Sequence, residues 1–304
     1  MDRRQALGFL GAAALSTALP ARAQAQAGAR RHERPVPSSG ERIPVVGLGT
    51  WITFDVGGAA SPERRSRGDI LQAFFAAGGR LVDSSPMYGS SEEVIGAEMA
   101  RMREAPLFAA TKVWTLGGLA GRRQMERSRT PWGVRRLDLM QVHNLLDWET
   151  HWPALKAMKA EGRVRYIGMT TSHGRRHDDL ARILRSERLD FVQLTYNLAD
   201  REAEEALLPL AAERGVAVIV NRPFDGGGLF GAKTAKPLPG WAREIGCASW
   251  AEAFLKWIAA HPAVTCAIPA TSKLEHLREN MRALAGPLPD AALRRRIADD
   301  YAKA

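Results

Sequence analysis

Eight short apolar runs, evenly spaced and separated by amphipathic stretches, constrain this chain more than any other feature. They fall at residues 43–49, 80–84, 107–113, 138–143, 164–169, 190–195, 216–221 and 264–268. From the third to the seventh they begin at Leu107, Asp138, Val164, Asp190 and Val216, separations of 31, 26, 26 and 26 residues. Helix-period stretches lie between them, among them 67–77, 92–103, 152–161, 178–187, 202–214 and 250–260. Strands alternating with helices predict a parallel sheet with right-handed crossovers. Eight units on a regular beat predict one closed domain, a (β/α)8 barrel of the TIM type. An open doubly wound sheet is disfavoured because no Gly-x-Gly-x-x-Gly turn follows the first run. The seventh and eighth runs start 48 residues apart; the excess, Gly- and Pro-rich at 225–246, reads as a mobile flap beside the active face. Residues 289–304 read as one further helix, packed on the outside or lying near the mouth.

The barrel is expected to begin at residue 43. Ahead of it, residues 1–27 have the order of a signal peptide: Arg3-Arg4, then an Ala- and Gly-rich apolar stretch from 6 to 20, then ARAQAQA at 21–27. The apolar stretch is too short for a stable membrane anchor. The paired arginines resemble a twin-arginine signal, which implies the Tat machinery as partner and a periplasmic or exported destination. If the segment is not cleaved, the alternative is a cytoplasmic protein. Residues 28–42, polar and marked by Pro35, Pro37 and Gly40, read as a linker.

The rest of the composition narrows the function. Hydrophobic residues make up 45% of the chain and charged ones 25%, the balance of an ordinary globular protein with a full core. The formal charge is +10, but the positives are interrupted by acids and no Lys/Arg run alternates with stacking aromatics. A nucleic-acid partner is therefore not indicated; a basic surface with some attraction for an anionic cofactor is. Cys247 and Cys266 have no metal-ligand spacing and form no disulfide framework. A monomer is expected, since no long apolar stripe suggests an interface.

In such barrels chemistry sits where strands end. Three successive strand ends carry a carboxylate, an ammonium and an imidazole: Asp83, Lys112 and His143, with Tyr88 five residues past the carboxylate. Lys112 held as a cation near Tyr88 is expected to lower the phenol's pKa, while Asp83 keeps Lys112 charged. A phenol so placed gives a proton to a carbonyl oxygen as a hydride reaches the carbon. His143 donates a second hydrogen bond that polarises and orients the carbonyl. The constellation suits redox chemistry on aldehydes, ketones and alcohols with a nicotinamide.

The runs VGLGTW (46–51), LVDSSPMYG (81–89), TKVW (111–114), QVHN (141–144) and IPATSKLEHLREN (268–280) together resemble the aldo-keto reductases. The spacing agrees: 5 residues from Asp83 to Tyr88, 24 to Lys112 and 31 to His143. The resemblance implies Tyr88 as general acid/base, with Lys112, Asp83 and His143 in support. It implies Gly49, Thr50 and Trp51 beside cofactor and substrate, and Trp114 with Trp51 and His143 as substrate walls. For the nicotinamide it implies Thr170, Thr171 and Gln193 at the carboxamide, with Asp83, Asn221, Arg222, Pro223 and Phe224 near the ring and phosphates. Thr271, Ser272 and Lys273 would face a ribose 2′-phosphate, with His276 and Asn280 near the adenine.

The chain departs from the family pattern at four places. Thr170-Thr171 stands for the usual Ser-Asn, and Asn221 for an aromatic that stacks on the nicotinamide. At the phosphate site His276 replaces an arginine and Ala270 a lysine. Lys273 keeps NADP(H) the preferred cofactor, with NAD(H) as the alternative. Two other functions stay open at this level: a Schiff-base lyase using Lys112, and a cofactor-binding barrel acting as sensor or partner with little turnover. Export adds a constraint, because free NADPH is not expected outside the cytoplasm; a folded barrel carried out with its cofactor bound would meet it.

Overall fold

The computed structural model describes residues 31–58, 61–102 and 104–303, so the signal-peptide reading of 1–27 lies outside the described residues. Each predicted run appears as a short strand, buried on both faces as parallel sheets require. In chain order they are a hairpin β1 (Glu33–Pro35) and β2 (Arg42–Pro44), then β3 (Leu48–Gly49), β4 (Leu81–Asp83), β5 (Phe108–Val113), β6 (Leu137–Val142), β7 (Val164–Thr170), β8 (Phe191–Thr195), β9 (Ala217–Asn221) and β10 (Val264–Ala267). β3 to β10 pair in sequence order, all in parallel. Parallel bridges Val46↔Ala267 and Gly49↔Ala270 join the first strand to the last and close the ring.

The helices form the outer layer: α1 (Pro62–Ala76), α2 (Ser91–Met99), α3 (Gly118–Trp132), α4 (Trp148–Ala160), α5 (His177–Ser186), α6 (Leu207–Glu213), α7 (Trp241–Glu244), α8 (Trp250–Ala259), α9 (Leu274–Arg282) and α10 (Ala291–Lys303). One core lies between strands and helices, the other fills the barrel. Inside, Phe108 stacks on Tyr166 with centroids 5.9 Å apart, and Phe191 closes on both. These rings fill the lower barrel, so open space remains only at the carboxyl ends of the strands.

Two expectations change. The run at 43–49 is divided: Ile43 belongs to the hairpin, and the barrel strand proper is β3. The stretch read as linker to residue 42 contains β1, and Val36 and Ile43 are fully buried in the barrel-interior core. The hairpin is thus a plug in the barrel floor. Glu41 fastens it, bonding Arg80 at 3.1 Å and also Arg165 and the Tyr166 hydroxyl. Its polar composition concealed this because only two of its apolar side chains point inward.

The insertion at 225–246 is tied down rather than loose. Lys233 Nζ donates to Tyr301 O at 2.8 Å, Trp241 Nε1 to Asp300 at 3.0 Å, and Trp250 Nε1 to Lys236 O at 3.1 Å. The final helix α10 therefore clamps the segment that walls the cavity above it.

α2 and α3 cross at Gly96, where a Cβ would stand 1.6 Å from Pro131 O. That approach brings Glu92 of α2 to Trp132 Nε1 (2.9 Å) and to the Thr111 hydroxyl, next to Lys112. Gly96→Ala should cost about 3 kcal/mol and lower Tm by roughly 5 °C in calorimetry. A Tm within about 2 °C of the parent would show that the helices can separate without loss.

Candidate active site

Strand register assembles the site. Gly49 pairs with Asp83, Lys112 with Gln141, and Thr170 with Gln193, which brings these residues together near the strands' carboxyl ends. Asp83 and Lys112 are almost fully buried. Lys112 Nζ donates to Asp83 Oδ2 at 2.5 Å and to Ser84 O at 2.8 Å. Asp83 Oδ1 accepts from Gln193 Nε2 at 3.0 Å and Gln141 Nε2 at 3.4 Å. The buried pair is therefore hydrogen-bonded on both sides, the condition for tolerating two charges in a low-dielectric interior.

Tyr88 stands above this pair. The turn after β4 places it, with Tyr88 N–H donating to Ser85 O at 2.9 Å. Gly89 follows in the left-handed region (φ 57°), where a side chain would collide with Asp55. Lys112 Nζ lies 5.2 Å from the Tyr88 ring centroid. The His143 ring meets Tyr88 edge to face at 5.8 Å, and its Nδ1 is 3.2 Å from Ser85 Oγ. If Ser85 donates to Nδ1, the Nε2–H is left to point at a ligand.

The electrostatics correct one expectation. Burial raises the Tyr88 pKa above its ordinary value, Lys112 pulls it down, Asp83 pushes it up, and the net shift is upward. The phenol is therefore protonated at neutral pH, a proton donor waiting for an acceptor. For Lys112, burial pulls downward, but Asp83 and Tyr88 outweigh it and the pKa is raised. A lysine favoured as ammonium is a poor nucleophile for a Schiff base, which argues against the lyase reading. Burial first, then the Lys112 charge, push His143 down to about 3, so its imidazole is neutral.

Above the site opens a cavity of about 990 Å³. Of the sequence-predicted residues it is lined by Gly49, Thr50, Trp51, Asp83, Tyr88, His143, Thr170, Gln193, Asn221, Arg222, Pro223, Phe224, Thr271, His276 and Asn280. Lys112 lies beneath its floor. The others stand apart from the lining. Thr171 is buried behind the wall, Ser272 and Lys273 are exposed at the start of α9, and Trp114 sits half-exposed on the rim. Gln193 already donates its amide nitrogen to Asp83, which leaves its oxygen for a ligand. Asn221 is bound at both ends, accepting from Thr195 Oγ1 at 2.7 Å and donating to Thr171 O at 2.8 Å.

Sequence reading missed part of the wall. Ile52, Thr53, Ser172, Phe230, Leu238 and Trp250 line the cavity. Phe230 and Leu238 come from the insertion, whose path no periodicity reveals. Trp148 and Trp152 do not line it; Trp152 is buried in the outer core, donating to Glu187 at 2.6 Å.

The residues present fit a nicotinamide dinucleotide. The cavity volume is at the top of the range for ligand sites. Arg222, a cation in its wall, has a buried Nε without a partner, the kind of donor a phosphate satisfies. Thr271 and His276 lie at the N-terminal end of α9, where the first backbone N–H groups of a helix favour an anion, and Asn280 faces the cavity about a turn further along.

Comparison with known proteins agrees with this geometry. The model of the Aldo/keto reductase family matches residues 45–296. An Escherichia coli (strain K12) protein named NADH-specific methylglyoxal reductase is 28% identical over 230 residues, covering 65% of this chain and 69% of that one. A Klebsiella pneumoniae aldo/keto reductase, solved with NADP and acetate, is 25% identical with a TM-score of 0.72, covering 86% and 93% of the two chains. The holo form of an aldo-keto reductase from Bacillus halodurans, at 21% identity, shares the fold: TM-score 0.74, covering 89% and 96%.

A neutral buried His143 makes stability depend on pH. Its folded pKa of about 3 lies below the ordinary histidine value of 6.5, so the unfolded chain binds the extra proton. Stability is then lost as pH falls from 6.5 towards 3. Between pH 7 and pH 4 the wild type should lose about 3 kcal/mol more than His143→Gln, read from denaturant midpoints. Equal losses would mean that the imidazole is protonated in the folded state.

Proposed function

Because the chain belongs to the aldo/keto reductase family, we propose that it is a nicotinamide-dependent oxidoreductase interconverting carbonyls and alcohols, with the proton moving at Tyr88. The observation that carries this reading is the Tyr88 phenol, set over a buried, fully bonded Lys112–Asp83 pair and beside a neutral His143. The nicotinamide, when bound, supplies or accepts the hydride. The chain's own residues do the rest. Tyr88 O–H and His143 N–H converge on the carbonyl oxygen and orient it. As charge develops on that oxygen, the phenol proton passes to it. The tyrosinate left behind is stabilised by the Lys112 ammonium, whose rotamer Asp83 and Ser84 O fix. In the oxidative direction the same steps run backward.

NADP(H) is the preferred cofactor in this reading. Arg222 and His276 are cations or potential cations along the wall, and Lys273 stands at the α9 N-terminus. The Klebsiella structure contains NADP, whereas the Escherichia coli relative's name makes NAD(H) the alternative. Fluorescence titration with NADPH and NADH should give the lower Kd for NADPH. Tyr88→Phe should keep that Kd within about twofold and lose on the order of a thousandfold in carbonyl-reduction kcat. Equal reduction by both proteins would sink the assignment.

We further propose that residues 1–27 export the folded barrel by the twin-arginine route, on the strength of Arg3-Arg4 and the apolar stretch after them. Replacing both arginines by lysine should leave the protein in the cytoplasmic fraction. Unchanged fractionation would remove the proposal.

A further inference from the structure

A second cavity, of about 300 Å³, opens among the outer helices and shares no residue with the reaction cavity. Arg201 and Glu204, from the turn that follows β8, line it with Trp257 of α8, His261 just beyond that helix, and Arg294 and Arg295 of α10. Three guanidiniums therefore face one carboxylate. Burial pushes the Glu204 carboxyl up, but bonds from Tyr196, Arg201 and Arg294 outweigh it and hold it below the usual range, so it is ionised. All its acceptor capacity is used. Oε2 takes Arg201 Nε at 3.1 Å and Nη2 at 2.6 Å, while Oε1 takes Arg294 Nη2 at 3.0 Å and the Tyr196 hydroxyl. These donors fill the lone-pair positions of a carboxylate.

The donors that remain have no acceptor in the protein. Among the described residues, Nη1 of Arg201 and Nη1 of Arg294 bond to nothing, and the exposed Arg295 has neither a hydrogen bond nor an ion pair. His261 adds one more donor. Its Nδ1 accepts from Ala263 N–H at 3.2 Å, and burial, with Arg294 beside it, brings its pKa down to about 4. A neutral ring whose Nδ1 accepts carries its proton on Nε2, and no protein acceptor meets that proton. The lining thus has two positive charges to spare, three from arginine less one from Glu204, and only donors to offer. The place is also held firmly. Trp257 Nε1 donates to Arg294 O at 2.9 Å, Arg294 Nε donates back to Trp257 O at 3.0 Å, and the guanidinium lies 4.6 Å from the Trp257 ring centroid.

We propose that this cavity binds a phosphate group, as the free ion or on a small phosphorylated molecule. A phosphate dianion brings only acceptors and matches the two spare charges, and guanidinium forks bond its oxygens in pairs. A cation or a neutral alcohol would leave the arginine charge uncompensated. At about 300 Å³ the cavity is at the lower end of ligand sites, with room for one small molecule rather than a dinucleotide. Bound there, the phosphate joins α10 to the turn after β8 and to the end of α8. Asp300 and Tyr301 of the same α10 hold the insertion at 225–246, so the phosphate fastens the other end of that clamp. None of this depends on the chemistry at Tyr88.

Calorimetric titration of the protein at about pH 8, where phosphate is doubly charged, tests the site with inorganic phosphate and with glycerol 3-phosphate. At least one probe should bind with a Kd below about 1 mM and raise Tm. The tighter of the two distinguishes a free ion from a phosphate monoester as the occupant. Arg295→Glu, at an exposed position without a partner, should weaken binding by at least about tenfold, whereas Arg295→Lys, which keeps the charge, should stay within about threefold. Arg222→Gln, in the reaction cavity, should leave this binding unchanged. Binding lost in Arg222→Gln and kept in Arg295→Glu would place the phosphate in the reaction cavity and overturn the proposal. The absence of saturable binding by either probe would overturn it as well.

Discussion

The buried contact between Asp83 and Lys112 is the constraint on which the site depends. Neither charge is tolerable alone where both are nearly inaccessible, and removing one partner of such a pair costs about 3–5 kcal/mol. Their mutual bond at 2.5 Å, with Gln141, Gln193 and Ser84 O on the remaining positions, favours the ammonium. A favoured ammonium makes Lys112 a poor nucleophile and suits it to stabilise a tyrosinate. The barrel register supplies the partners: Asp83 and Lys112 come from adjacent strands, and Gln141 and Gln193 from β6 and β8.

Burial decides the rest of the electrostatics. It overrides the Lys112 charge at Tyr88 and keeps the phenol protonated. At His143 the two act together, and both disfavour the imidazolium. The resting site therefore holds two neutral donors above one cation, an arrangement suited to receiving a carbonyl oxygen on which negative charge will grow. The plug in the floor and the clamped insertion serve the same end from opposite sides. The hairpin closes the lower barrel against water, and residues 225–246 raise a wall that carries Phe230 and Leu238 to the cavity.

Arg222, Thr271, His276 and Asn280 put polar groups into a cavity wall that also carries Phe224, Phe230, Leu238 and Trp250. Asn221, in the position where an aromatic platform is usual, is locked between Thr195 and Thr171 and cannot turn to a ligand without losing both bonds. The unpartnered Arg222 Nε is thus the more adaptable group on that strand end.

The sequence alone determined the architecture and pointed to the candidate site groups, because both are local or periodic. Strand–helix alternation has a fixed period, and Asp83, Tyr88, Lys112 and His143 are legible as polar residues at the ends of apolar runs. What tertiary structure decided has no local signature. The hairpin at 33–44 looks like a linker because only Val36 and Ile43 turn inward. Trp114 looks like a pocket wall, yet its backbone bonds to Gln124 hold it on the rim, while Trp250 looks like packing and reaches the cavity. The direction of the Tyr88 shift was misjudged for the same reason. A neighbouring charge can be read from a motif, but the desolvation that outweighs it comes from every chain segment packed around the ring.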